Sequence, residues 1–268
     1  MSAFERICLI GWGAIAQRVC ELLRERNASC RIVGVAVRDA ERDRPAFPDG
    51  AMLLIEPAKL MQCAPSLVVE AAGRSSVKPW GEASLRAGLD FMISSTSALA
   101  ENDVLQLMTD IAERSGGRII VPPGALGGVD ALSAASRVGL DRVVHRIVKP
   151  PAAWRGTAAE QVCDLTALTD AMVFFEGNAA QAASAYPQNA NVAVITSLAG
   201  VGFEKTRIEL VADPDTQRNV HQIHAEGDFG VLDVRLENLP LKTNPKSSEM
   251  TALNLVRAIE NRSNKLVL

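Results

Sequence analysis

The sequence predicts an α/β chain: a doubly wound parallel sheet of the Rossmann type, followed by a second α+β domain with a mixed, mostly antiparallel open sheet. Three observations carry this expectation. A strand-like run, Arg6 to Ile10, stops at Gly11-Trp-Gly-Ala-Ile-Ala16 and passes into a helical pattern. Short apolar runs then alternate with helical periodicity as far as Val121, as βα units on a parallel sheet do. Beyond the proline- and glycine-rich stretch Pro122 to Gly128, several runs alternate apolar and polar residues, the pattern of strands with one solvated face.

The first glycine turn has the spacing G-x-G-x-x-A. Gly11 permits the tight turn, Gly13 lets the backbone approach a pyrophosphate, and Ala16 stands where a third glycine packs helix on strand. The free amides of the following helix, Gln17 to Arg26, would hold phosphate oxygens, which makes Gly11, Gly13, Ala14, Ile15 and Ala16 candidate cofactor contacts. A second strand, Cys30 to Val37, ends at Arg38-Asp39, near where a ribose-reading residue is expected. An acidic group there accepts from the 2′-hydroxyl of NAD, whereas Arg38 suits the 2′-phosphate of NADP; a solvated strand-end charge explains Arg38 equally well. The cofactor is therefore NAD or NADP.

A polar loop from Arg42 to Gly50 leads to a weak strand at Met52 to Ile55 and a short helix at Pro57 to Cys63. Leu67 to Gly73 reads as a buried strand running into small residues, and Ala72 and Gly73 are secondary cofactor candidates because small side chains permit close approach. A helix over Val77 to Ala87, a strand at Asp90 to Ser94, a helix from about Asn102 to Ser115 and a strand at Arg118 to Val121 complete the alternation. The hydroxyls of Ser95-Thr-Ser97 either face the nicotinamide or cap the next helix, and capping is the expected role.

In the second half, helices are expected at Asp130 to Arg137, Leu165 to Asp170, Ala179 to Tyr186 and Val192 to Gly200. Strands are expected at Val143 to Val148, Glu204 to Ala212, Val220 to Glu226 and Gly230 to Glu237. The chain has three histidines, His145, His221 and His224. Histidine titrates nearest neutrality, so proton transfer near pH 7 would use one of them. His221 and His224, three apart in a strand, point to opposite faces, and periodicity does not choose between them.

Several motifs together carry a resemblance. Gly11-Trp-Gly-Ala-Ile-Ala16, Pro122-Pro-Gly-Ala-Leu-Gly-Gly-Val-Asp-Ala131, Tyr186-Pro-Gln-Asn-Ala-Asn-Val-Ala193, Ala212-Asp-Pro214, Asn219-Val-His221 and Asn244-Pro-Lys-Ser-Ser248 occur in the order found in L-aspartate dehydrogenases, which the chain resembles along nearly its whole length. The resemblance implies a dihydrodipicolinate reductase-like architecture: a dinucleotide-binding domain over residues 1–123, a substrate-binding and dimerisation domain over 124–245, and a C-terminal helix over 246–262 returning to the first. It implies NAD(P)-linked interconversion of L-aspartate with iminoaspartate, and of that imine with oxaloacetate plus ammonia, feeding NAD biosynthesis. Ala125 and Asn191 then look like cofactor contacts, His221 like the catalytic residue, and the active site is expected at the interdomain cleft, in a homodimer. A plainer segment is expected where Ala152-Ala-Trp-Arg155 follows Lys149-Pro-Pro151.

A dicarboxylate substrate needs cations or amide donors, since an unpaired buried carboxylate is costly, and Lys149, Arg155 and Lys246 are the candidates. Lys246 serves equally well as part of the cap of the last helix. The net charge of −3 and scattered Lys and Arg argue against nucleic acid as partner and favour a small molecule. No apolar stretch suggests a signal peptide or a membrane span, and five cysteines without C-x-x-C spacing read as reduced thiols of a cytoplasmic protein. No metal-ligand spacing occurs. Two other functions fit the same residues: a reductase of another amino-acid-derived carbonyl or imine, and a nucleotide sensor without catalysis.

Overall fold

A computed structural model describes residues 4–101, 103–187 and 190–268, the side chains of Pro245 and Lys246 apart. Contacts divide the chain into two compact units, Met1–Pro122 with Thr251–Leu268, and Pro123–Met250.

In the first unit, β1 (Glu5–Ile10), β2 (Cys30–Ala36), β3 (Met52–Leu54), β4 (Leu67–Glu70), β5 (Asp90–Ile93) and β6 (Ile119–Ile120) form one sheet in the order β3-β2-β1-β4-β5-β6. Every pairing is parallel. The order reverses between β1 and β4, which opens the crevice where doubly wound sheets hold dinucleotides. The helices α1 (Ala14–Glu25), α2 (Arg74–Arg86) and α3 (Val104–Ser115) supply the crossovers. Both faces of the sheet are covered, so the strands read as unbroken apolar runs such as Leu67-Val-Val69, each residue buried. Asn102, placed at the start of the third helix by the sequence, lies outside the described residues.

The second unit contains α4 (Val129–Ala135), β7 (Leu140–Lys149), β8 (Met172–Asn178), α5 (Ala179–Ala185), α6 (Asn191–Ala199), β9 (Arg207–Ala212), β10 (Asn219–Gly227) and β11 (Gly230–Asn238). Its sheet runs β11-β10-β7-β9-β8; only β7 and β9 pair in parallel, so it is mixed and mostly antiparallel as expected. Helix α5 opens with a reciprocal cap, the Asn178 side chain accepting from Gln181 N while the Gln181 side chain accepts from Asn178 N.

Three local expectations are corrected. No helix forms at Leu165 to Asp170; Asp164 Oδ1 accepts from both the backbone N–H and the hydroxyl of Thr166, a side-chain turn that competes with helical bonding. Strand β8 went unanticipated, because Met-Val-Phe-Phe is apolar without alternation and its pairing with β9 is distant in sequence. The last helix, α7, spans Glu249–Glu260 rather than beginning at residue 246, because β13 (Asn244–Ser248) pairs with β12 (Pro240–Leu241) in a small ladder. The second compact unit accordingly extends to Met250.

Helix α7 contributes Ala252, Leu255, Val256 and Ile259 to the same core as Ile7, Leu9, Val35 and Leu67. Burying Leu255, Val256 and Ile259 stabilises by about 1.5–3 kcal/mol each. Arg262, just past the helix, bonds Glu5 and Asp90 at the amino ends of β1 and β5. No helix among the described residues is long and apolar enough to cross a membrane.

Candidate active site

The nucleotide side of the site is built at the carboxyl ends of β1 and β4. Gly11 follows β1 directly with φ of +101°, and a Cβ there would lie 2.7 Å from Ala72 Cα, so only glycine lets the two strand ends approach. Gly13 is the N-cap of α1, and a Cβ on it would meet nothing within 4 Å. Helix α1 has no side-chain cap and no acidic residue in its first turn, leaving its amides and positive dipole end to an anion. Open space before a glycine-capped helix, at the reversal of strand order, fits a dinucleotide pyrophosphate. Ala14, Ile15 and Ala16 form the first turn of α1, with Ala16 fully buried. Gly73 has φ of +132° and, like Gly13, open space where a Cβ would stand. Arg38 is exposed two residues beyond β2.

Behind this turn sits a residue that sequence reasoning did not single out. Glu70, the last residue of β4, is fully buried. Its Oε1 accepts from Ala72 N and Gly73 N at 2.8 Å, Ser95 Oγ at 3.0 Å and Ser76 Oγ at 3.1 Å, while Oε2 accepts from Ser95 N at 2.8 Å. Five donors satisfy a carboxylate that would otherwise be expensive to bury, although the Ser76 hydroxyl divides its one proton between Glu70 and Gly73 O, 2.6 Å away. They also fix the backbone of Ala72 and Gly73. Ser95 therefore does not cap the following turn: it stands at the cap position without a capping bond, its hydroxyl turned to Glu70. The available signal was a charged residue closing an apolar strand, followed by small residues and serines.

In the second unit, the structure separates the histidines. His221, in β10, is 3% exposed, while His224, on the opposite face, is partly exposed and bonds Asp233 Oδ1 at 2.7 Å. His145, in β7, is fully buried, and its Nε2 lies 3.2 Å from His221 Nδ1. Its Nδ1 lies 2.9 Å from Thr196 Oγ1, on α6. Burial brings His145 down to about 3, so it is neutral at working pH. Burial, then the nearby His145 and Lys149, hold His221 well below its usual near-neutral value.

Lys149 ends β7, and burial brings its ammonium down to about 8. Its Nζ stands 5.1 Å from the centre of the Trp154 ring, close enough for a cation–π contact. Trp154 is fully buried, donates to Val211 O at 3.0 Å, and packs edge-on against Phe174 and Tyr186. The segment after Lys149-Pro-Pro151 thus builds an aromatic wall under the lysine. Arg155, next to it, is exposed. The Lys246 side chain, and Gln188 and Asn189 of the motif before α6, lie outside the described residues. Asn191 is the first residue of α6, the helix that carries Thr196. Ala125 is buried ahead of α4, and its carbonyl accepts from Asn238 Nδ2 at 2.8 Å. Within each unit, then, the candidates cluster: the glycine turn with Ala72 and Gly73 in one, His221 with Lys149 in the other. All five cysteines are free thiols.

Comparison with known proteins agrees with both halves. Residues 11–122 match the NAD-binding domain of homoserine dehydrogenase, and residues 130–262 match the C-terminal domain of aspartate dehydrogenase. The L-aspartate dehydrogenase of Brucella anthropi is 59% identical over 262 residues, covering 98% of each chain. The chain belongs to the L-aspartate dehydrogenase family. Among solved structures, the aspartate dehydrogenase of Thermotoga maritima, another member, superposes with a TM-score of 0.78 at 26% identity, covering 98% of this chain and 99% of that one. The dihydrodipicolinate reductase of Paenisporosarcina shares the fold, with a TM-score of 0.55 at 16% identity over 97% of this chain and 95% of that one.

Proposed function

We propose that this family member is an NAD(P)-dependent L-aspartate dehydrogenase, interconverting L-aspartate and iminoaspartate, with the imine in exchange with oxaloacetate and ammonia. The full-length identity of 59% to the Brucella anthropi enzyme carries the reading. A bound nicotinamide nucleotide supplies the hydride acceptor. Gly11, Gly13, Ala14, Ile15, Ala16, Ala72 and Gly73 would hold it, Arg38 would meet its ribose, and Ala125 and Asn191 would position the nicotinamide. Oxidation takes a hydride from Cα and a proton from the substrate nitrogen. His221 receives that proton, and in hydrolysis of the imine draws one from the attacking water. The second unit binds substrate and pairs two copies in a cytoplasmic homodimer.

The test is NAD(P)H oxidation with oxaloacetate, with and without ammonia. Loss of absorbance only with ammonia is expected. Oxidation without ammonia would instead indicate a hydroxyacid reductase, and nucleotide binding without turnover a sensor. Running NADH against NADPH, in the wild type and in Arg38→Asp, tests Arg38; a preference unchanged by the substitution removes it from the ribose site.

Lys149 pairs with a substrate carboxylate. Lys149→Met is expected to raise KM for L-aspartate about 30- to 100-fold, the loss of one charge-assisted bond in a desolvated site. The wild-type KM should rise as pH climbs through about 8, where the ammonium loses its proton. Lys149→Arg keeps its charge throughout and should abolish that rise. A flat wild-type KM from pH 7 to 9.5 would remove Lys149 from the substrate site.

A further inference from the structure

The contacts of His145 determine more than its own position. Thr196 Oγ1 lies 3.0 Å from the carbonyl of Val192, one turn back in α6. A carbonyl only accepts, so this contact is a hydrogen bond only when the single hydroxyl proton of Thr196 points to Val192 O, and that is the one arrangement in which Thr196, His145 and His221 bond through all three of these contacts. Thr196 Oγ1 then meets His145 Nδ1, 2.9 Å away, as an acceptor, and His145 Nδ1 carries a proton. A neutral imidazole has only one. His145 Nε2 is consequently a bare lone pair, and the 3.2 Å contact to His221 Nδ1 is a hydrogen bond only if His221 donates. That places the proton of His221 on Nδ1. With Nδ1 committed to His145, Nε2 is the ring nitrogen left to meet another group.

We propose that Thr196 and His145 are positioning residues that set the tautomer of His221, holding its proton on Nδ1 so that Nε2 faces the substrate as an unprotonated base. The inference rests on the assignment of His221 as the proton-transfer residue. Its logic is that of any oriented imidazole base: the group bonded to one ring nitrogen decides which form the other presents. Here a second, neutral histidine does the orienting. In the opposite tautomer His221 Nε2 would carry a proton and could not accept one from substrate. Burial supports the relay, because it keeps His145 neutral, with one proton to give and one lone pair to offer.

The experiment reads the ring nitrogens directly. The chain has only three histidines, so 15N-labelled protein gives three imidazole patterns, assigned by replacing each in turn. Long-range 1H–15N spectra of the full chain at pH 7.5 should show His221 protonated on Nδ1. Thr196→Val, which keeps the side-chain shape and removes the oxygen, and His145→Met, which removes the acceptor, should each move His221 toward the Nε2–H form. Both should lower kcat for L-aspartate at least tenfold with KM changed less than threefold. His145→Gln offers a carbonyl oxygen to His221 and should keep Nδ1–H and most of kcat. A merely structural role for His145 would leave the nitrogen pattern unmoved. Thr196→Val carries the test where the His145 variants fold poorly. A wild-type His221 protonated on Nε2, or a pattern indifferent to Thr196→Val, overturns the proposal even in an active enzyme. The expected nitrogen pattern in a protein that never oxidises L-aspartate upholds the relay while the proposed function fails.

Discussion

Replacing His221 with Ala is expected to lower kcat for L-aspartate oxidation by about 10²- to 10⁴-fold, the usual contribution of a positioned acid–base group. Nucleotide affinity should be unchanged, since His221 is not among the residues proposed to hold the nucleotide. The size of the effect follows from where β10 puts the ring. Among the three histidines, His221 is both buried and adjacent to the lysine proposed to hold substrate, whose charge helps depress it. A depressed histidine stays neutral, and so basic, well into mild acid. The acidic limb of kcat/KM should therefore fall below the ordinary histidine value of about 6.5. His224→Ala serves as the control: that ring bonds exposed Asp233 across the outer face, and its loss should leave kcat within about twofold. His221→Ala with near-normal turnover in both directions would end the assignment, provided the variant melts cooperatively.

The parts of this molecule that were legible in the sequence are those set by neighbours in the chain. The glycine turn before α1 and the apolar strands β1, β2, β4 and β5 follow from local spacing. The opposed faces of His221 and His224 follow from strand periodicity. What was illegible depends on distant partners. Ser95 looks like a helix cap because serine before a helix caps it; a carboxylate 25 residues earlier claims its hydroxyl instead. His145 looks like one residue of an alternating strand, and its meaning lies in a ring 76 positions away. Strand β8 is specified by its register with β9 rather than by its own pattern. The sequence marked Ala152-Ala-Trp-Arg155 only as a departure from a plainer segment; that the Trp154 indole forms the wall beneath Lys149 is decided by packing. Local rules place the elements, and tertiary pairing decides which polar side chains become a site.

Glu70 is where that pairing should have its largest consequence for the cofactor. Glu70→Ala removes the common acceptor of three backbone amides and two hydroxyls, all in partly buried contacts. An unsatisfied buried group costs about 1–3 kcal/mol and water replaces part of that in a partly buried contact, so a total loss of about 1–3 kcal/mol is expected, seen as a lower melting temperature. Glu70→Gln isolates the electrostatics. An amide keeps one accepting oxygen and replaces the other with a donor. Four of the five bonds converge on Oε1 and one on Oε2, so either orientation of the amide sets an N–H against a backbone N–H. The better orientation sacrifices Ser95 N, a loss of about 1–3 kcal/mol. It also loosens Ala72 and Gly73, whose backbone conformation the carboxylate holds. The dissociation constant for NAD(P)H, read by quenching of protein fluorescence, should rise about tenfold or more in Glu70→Gln, since 1.4 kcal/mol of lost preorganisation is a factor of ten. KM for L-aspartate at saturating nucleotide should hardly move, because Glu70 bonds Ala72, Gly73, Ser76 and Ser95 and neither Lys149 nor His221. Unaltered nucleotide affinity in a Glu70→Gln protein of lowered melting temperature would reduce Glu70 to a stabilising residue; an unaltered melting temperature as well would mean that the five bonds contribute nothing net.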